Sequence, residues 1–201
     1  MKVVLASNNP NKLREMKQIL SPLGWEILRQ SELGLHIEPE ENGVTFEENS
    51  KIKAVAVMEA AGIPAIADDS GVEVDALNGD PGVYSARYGG EACPDDKARN
   101  RFLMKKMEQV PDGERSGRFV SVITMAMPDG RIYSARGTLE GEILREEVGD
   151  GGFGYDPLFY IPGEDCTMAQ LSPERKNQIS HRAEALRKFV EIITDNEVEL
   201  C

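Results

Sequence analysis

Apolar residues fall along the chain in short blocks, and the spacing within each block separates strands from helices. Residues 2–6 form a β-branched run that predicts a strand. Beyond a polar stretch, Leu13, Met16, Ile19 and Leu20 recur at helical spacing and mark one face of a helix. Asn9 suits its N-cap and Pro10 its first position, where a missing N–H costs nothing. Residues 25–28 predict a second strand, and residues 46–61 a second helix with Ile52, Val55, Ala56 and Ala60 facing inward. Residues 63–67 read as a buried strand ending at two acids, with a separate strand over 72–76 and a turn over 78–82. A third helix is expected over 95–108, directing Phe102, Leu103 and Met107 to the core. Residues 119–127 and 131–137 predict two strands joined at Pro128-Asp129-Gly130, and the first is apolar enough to be central. Ser180 suits the N-cap of a last helix, on which Leu186, Phe189, Val190 and Ile193 form an apolar stripe. A βαβαβ-like start followed by a hairpin points to an α/β or α+β domain around a long mixed sheet, with two lobes and a cleft.

Composition narrows the class. A length of 201 residues suits a single domain with a substantial core, taken here as residues 1–201. A net charge of −12 argues against a general nucleic-acid binder, which carries a basic face, but leaves room for an anionic small molecule held by local cations. Cys93, Cys166 and Cys201 are widely spaced and lack a zinc pattern, so free thiols in a reducing cytoplasm are expected. No apolar stretch approaches membrane-spanning length, and the first one is too short for a signal peptide.

Five polar segments carry candidate chemistry. In Ala65-Ile66-Ala67-Asp68-Asp69-Ser70-Gly71 an apolar run ends in adjacent carboxylates, which repel and favour each other's neutral form unless a cation lies between them. A divalent metal removes that repulsion, and magnesium suits carboxylate oxygen; a solvated acidic turn is the other reading. Ser7-Asn8-Asn9-Pro10-Asn11-Lys12 joins a strand to a helix start, where free N–H groups and the positive dipole end suit a phosphate, or where these residues merely cap the helix. The acidic loop at 38–43 offers Glu40 or Glu41 to a metal at Asp68 and Asp69, or stays solvated. Four glycines within residues 149–154 cost chain entropy, repaid where backbone approaches a ligand; Phe153 and Tyr155 offer flat faces for a base and Asp156 an acceptor, with a lid or linker as the alternative. His181 and Arg182 stand in a first helical turn, where cations are disfavoured by about 0.3–1 kcal/mol unless a ligand docks there, and Lys176 lies just upstream.

Together these segments closely resemble the non-standard purine nucleoside triphosphate pyrophosphatases, the inosine/xanthosine triphosphatase family, from Ser7 to Arg182. The resemblance rests on Ser7-Asn8-Asn9-x-x-Lys12, Thr45-Phe46-Glu47-Glu48-Asn49 with Lys53-Ala54, and Ala67-Asp68-Asp69-Ser70-Gly71. It continues through Pro81-Gly82-Val83-Tyr84-Ser85-Ala86-Arg87-Tyr88, Gly151-Gly152-Phe153-Gly154-Tyr155-Asp156-Pro157 and Ser180-His181-Arg182. It implies an elongated, two-lobed α/β fold, a homodimer, and Mg²⁺-dependent release of pyrophosphate from ITP, XTP and their deoxy forms. By that resemblance Asp69 is the general base and a metal ligand, Glu40 completes the metal site, and Asp68 lies close by. Ser7, Asn8, Asn9, Pro10, Asn11, Lys12 and Lys53 hold the triphosphate, and Ser70 touches the substrate. Phe153, Gly154, Tyr155, Asp156, Lys176, His181 and Arg182 frame the base, with His181 and Arg182 expected to read its 6-oxo edge. Donors facing a 6-oxo group are mismatched to the 6-amino group of adenine, which would reject ATP. Two rivals are weaker. A pyrophosphatase for pyrimidine or modified nucleotides would carry Ser-x-x-Arg where Lys12 stands, and a non-catalytic nucleotide sensor would not need Asp68-Asp69.

Overall fold

The order of strands follows from which segments can be buried on both faces. In the computed structural model, which describes residues 1–196, β1 (Lys2–Leu5) pairs in parallel with β2 (Glu26–Arg29) and with β3 (Ala65–Val74). Parallel neighbours need a crossover, and α1 (Pro10–Leu20) supplies the one between β1 and β2. Asn9 caps α1 as expected, its side-chain oxygen accepting from the Asn11 and Lys12 amides. β4 (Ser116–Ala126) and β5 (Ile132–Ile143) form the expected hairpin, both longer than the apolar pattern predicts. Two short antiparallel strands, β6 (Phe159–Ile161) and β7 (Cys166–Thr167), complete a seven-stranded mixed sheet in the order β2-β1-β3-β4-β5-β6-β7. The helices are α1, α2 (Phe46–Ala61), α3 (Asp96–Lys106), α4 (Pro173–Ile179) and α5 (His181–Asp195). The fold is therefore α/β, as expected. Cys201 lies outside the described residues, while Cys93 and Cys166 are free thiols.

The chain divides into two units. Unit 1 comprises Met1–Asp69, Ser121–Gly137 and Arg182–Cys201; unit 2 comprises Ser70–Val120 and Thr138–His181. Within unit 1, successive strand residues alternate between two apolar layers. Val3, Leu5 and Ile66 pack with Leu13, Met16 and Leu20 of α1 and Leu186, Phe189 and Ile193 of α5. Val4, Ala6, Ala65 and Ala67 face the opposite way, with Ala54 and Val57 of α2. Within unit 2, Val72, Val74, Phe119, Ile143 and Phe159 pack with Leu103 and Met107 near the end of α3.

Three expectations are corrected. The acids do not end a strand: β3 runs through Asp68, Asp69, Ser70 and Gly71 without a break. The buried face of α2 carries Phe46, Asn49, Ser50, Ala54 and Val57, whereas Ile52, Val55 and Ala56 are half-buried and Ala60 is exposed. Polar residues on that inner face hid its period. Ser50 is satisfied there by donating to the Val122 carbonyl at 3.0 Å, and Asn49 accepts from the Gly43 amide at 2.8 Å. Finally, α4 was not expected, because seven residues are too few to show a period.

Candidate active site

Adjacent residues on a strand point to opposite faces, so Asp68 and Asp69 form their short ion pairs with cations of different layers. Asp68 turns toward α1 and α5. Lys12 of α1 reaches it at 2.6 Å, Arg182 of α5 at 3.3 Å, and the Ser121 hydroxyl of β4 donates to it at 2.5 Å. Arg182 also bonds Glu15, one turn beyond Lys12 on α1. Burial would raise the Asp68 pKa, but the charges of Arg182 and Lys12 and the hydrogen bonds of Lys12 and Ser121 hold it well below the usual carboxylate range. Burial pushes Lys12 down, against the pull of Asp68. Asp68 is thus a buried, ionised carboxylate whose oxygens already have donors.

Asp69 turns toward α2. Lys53, in the second turn of that helix, reaches it at 2.6 Å and also reaches Glu41 at 3.4 Å. Burial raises the Asp69 pKa despite Lys53, and the nearby Glu41 charge raises it further. Burial would lower Lys53, but the two carboxylates outweigh it and raise its pKa. Asp69 remains slightly accessible, at 7%. The loop carboxylate brought to this point is Glu41; Glu40, expected from the resemblance, is exposed beside it. Among the described residues no group of three or more His, Cys, Asp or Glu side chains gathers as a metal cage. A pair such as Asp69 and Glu41 still fits magnesium, which takes one or two carboxylates and fills its shell with waters and substrate phosphates.

The strand-to-helix segment is more occupied than expected. Asn9 uses the amides of Asn11 and Lys12, and the Asn9 amide donates to the Ser7 hydroxyl at 3.2 Å. Pro10 has no N–H to give. The capping reading of this segment is thus the one seen, and the cap takes up backbone donors expected to cradle phosphate. Asn8 donates to Glu38 at 2.8 Å, which brings the acidic loop to this segment as well.

Unit 2 holds the glycine-rich segment. Lys176 of α4 reaches Asp156 at 2.7 Å and lies 4.6 Å from the centre of the Phe153 ring. Asp156 also accepts from the Phe153 amide at 2.9 Å. A Cβ at Gly152 would lie 2.1 Å from the Asp156 carboxylate, so a larger residue there would displace that carboxylate. Phe153 is half-buried, but Tyr155 is only 5% exposed and donates its hydroxyl to the Ser85 carbonyl at 2.8 Å. Tyr155 is thus core, not the open face expected of it. The Pro81-to-Tyr88 motif has a structural task too: Ser85 accepts from the Val72 amide at 2.9 Å and donates to the Gly82 carbonyl at 2.6 Å. A Cβ on Gly71 would lie 2.3 Å from that hydroxyl, which explains the glycine after Ser70.

His181 and Arg182 take different environments. His181 stacks on Phe119 at 4.8 Å, with the rings 15° apart, in unit 2. Arg182 pairs with Asp68 and Glu15 in unit 1, so the guanidinium expected to read the base is engaged by carboxylates here. Sequence reasoning misses Glu15 and Ser121, and offers Glu41 only as the alternative to Glu40. Glu15 follows Lys12 by one helical turn, a readable signal; a lone serine in an apolar strand gives none.

The Ham1 family model matches residues 3–192. A dITP/XTP pyrophosphatase of Thermus thermophilus is 50% identical over 195 residues, covering 97% of this chain and 93% of its own. One of Desulforamulus reducens is 51% identical over 193 residues, covering 96% of each. Among solved structures, the Ham1 protein of Staphylococcus aureus superposes with a TM-score of 0.87 at 43% identity, over 98% of this chain and 100% of its own. A HAM1 protein of Coxiella burnetii gives 0.88 at 41%, over 97% and 99%. On sequence and fold together, the chain belongs to the Ham1 family.

Proposed function

We propose that the chain hydrolyses non-standard purine nucleoside triphosphates, dITP, ITP and XTP, to the monophosphate and pyrophosphate, and so clears them from the nucleotide pool. The observation that carries this reading is Asp69: a nearly buried carboxylate, open to a little solvent, with Lys53 and Glu41 beside it. Relatives at half identity are named for dITP and XTP pyrophosphatase activity.

Water attacks the α-phosphorus, the bond to the bridging oxygen breaks, and pyrophosphate leaves. Asp69 accepts the proton of the attacking water. Lys12 and Lys53 bring positive charge to the triphosphate, with Ser7, Asn8 and Asn11 beside them, and such chemistry depends on positioning and charge more than on covalent help. Asp69 and Glu41 would hold magnesium, which when bound supplies charge to the phosphate oxygens. Arg182 acts through Asp68, keeping that carboxylate ionised next to Lys12. In unit 2, Phe153 provides a face for the purine, and Lys176, fixed by Asp156, a donor for its 6-oxo group. The 6-amino group of adenine would turn its own hydrogens toward that cation and be refused. The family resemblance further supports a homodimer working in the cytoplasm; among the described residues no helix is long and apolar enough to cross a membrane.

The test is Asp69→Asn, which keeps shape and removes the base and a charged ligand. Turnover of dITP is expected to fall by about 10²–10⁴-fold, the usual worth of a general base. Turnover within a few-fold of the unaltered protein would overturn the assignment.

A further inference from the structure

Phe153 sits in a segment whose glycines give it little stiffness of its own, yet three successive main-chain groups there are tied down. The Phe153 amide donates to Asp156 at 2.9 Å. The Gly154 amide donates to the Asp96 carboxylate at 2.7 Å, and the Gly154 carbonyl accepts from the Asn100 side-chain amide at 3.1 Å. Asp96 and Asn100 lie one turn apart on the same face of α3. Asn100 is only 2% exposed, and its nitrogen also donates to Glu147, just before the glycines, at 2.5 Å. Both acceptors face the nitrogen, so the orientation of the amide is set by its neighbours. Gly154 has φ of +62°, a left-handed conformation that a free segment would leave readily. Asp95 caps α3 through the Ala98 amide, so Asp96 is not needed as the cap; one of its oxygens pairs with Arg99 and the other accepts from Gly154.

We propose that Asp96 and Asn100 are positioning residues for purine recognition: through the main chain of Gly154 they hold the Phe153 ring where it meets the base. The proposal rests on the reading of Phe153 as the purine platform. It goes beyond that reading by placing part of the base selectivity on α3, a helix none of whose residues was expected to meet substrate. A glycine-rich segment loses much conformational freedom when ordered. If α3 orders it before the nucleotide arrives, that cost does not weaken binding.

The experiment measures binding of inosine monophosphate by calorimetry, alongside kcat and KM for dITP. The variants are Asn100→Ala, Asp96→Ala, Asp96→Asn, Phe153→Ala and the double variant Asn100→Ala with Phe153→Ala. Asn100→Ala is expected to weaken inosine monophosphate about tenfold and to raise KM for dITP similarly while kcat stays within about twofold, the scale of one lost hydrogen bond. Asp96→Asn keeps an oxygen acceptor and should bind nearly as well as the unaltered protein, while Asp96→Ala should not. In the Phe153→Ala background, Asn100→Ala should cost nothing more, because its effect passes through the missing ring. Independent, multiplying losses in the double variant, or a fall in kcat at unchanged KM, would overturn the proposal. Asp96 is partly exposed, so its two variants decide the matter if Asn100→Ala fails to fold. If Phe153→Ala itself binds inosine monophosphate as well as the unaltered protein, the platform reading fails and the proposal with it. Normal binding without turnover would instead count against the hydrolytic reading alone.

Discussion

At the residue scale, two acids that repel on paper are separated by strand geometry. Each has its own cation: Lys12 and Arg182 for Asp68, Lys53 for Asp69. This division assigns different tasks and yields two predictions. Arg182→Ala leaves Asp68 and Glu15 without their shared counter-ion in a buried place. Removing one partner of such a group costs about 3–5 kcal/mol, which a denaturant titration would register, while the ratio of dITP to ATP turnover stays as it was. A collapsed ratio at unchanged stability would return Arg182 to the base. The second prediction separates neighbouring acids. Glu41→Gln should raise the magnesium concentration needed for half-maximal turnover by about tenfold or more, and Glu40→Gln should leave it unchanged, because only Glu41 stands with Lys53 and Asp69. Magnesium titrations of both variants check this, and equal effects would contradict the choice of ligand.

At the scale of elements, periodicity was a good guide where one face of an element is uniformly apolar. The faces of α1 and α5 were legible for that reason, and Asn9 and Pro10 announced the start of α1. α2 was placed within its limits but turned wrongly, since Asn49 and Ser50 are buried by virtue of hydrogen bonds and not of hydrophobicity. β3 was divided in two because charged residues look like a strand end unless their partners on other elements are known. The same lesson applies to Tyr155, an expected ligand face that the fold uses as a strut between the glycine-rich segment and Ser85. Burial pushes its hydroxyl pKa up. The sign follows: the unfolded chain ionises this tyrosine near pH 10 while the folded chain resists, so its contribution is complete below pH 10 and is lost as pH rises above it. Stability should then fall by about 1.4 kcal/mol per pH unit from this group alone above pH 10. Tyr155→Phe, less stable at pH 8 by roughly one hydrogen bond, should lose that slope, and denaturant titrations at pH 8 and 11 should show the gap closing. A gap that is constant with pH would mean that Tyr155 is ionised equally in both states.

At the scale of the whole molecule, the two units have separate cores and separate candidate tasks. Unit 1 carries carboxylates and lysines suited to phosphate and metal, and unit 2 an aromatic face with a fixed lysine. The α/β class was readable from the chain because strands and helices alternate early and a hairpin follows. Much of the site was readable from its acids, lysines and glycines, since chemistry restricts residue type at those points. The supporting residues Glu15 and Ser121 were not, nor was the choice between Glu40 and Glu41, because these depend on which elements come together and not on local pattern. The net charge of −12 belongs to the whole chain, and Lys12 and Lys53 stand within it paired to Asp68, Asp69 and Glu41. The proposed activity is defined by the bond broken and the base accepted. Its most direct test is phosphorus NMR of the products formed from dITP, XTP, dGTP and ATP with magnesium, before and after addition of excess chelator. Monophosphate and pyrophosphate are expected from dITP and XTP, with little reaction of ATP and no turnover once the metal is chelated. Nucleoside diphosphate with orthophosphate, or equal rates on dITP and ATP, would contradict it.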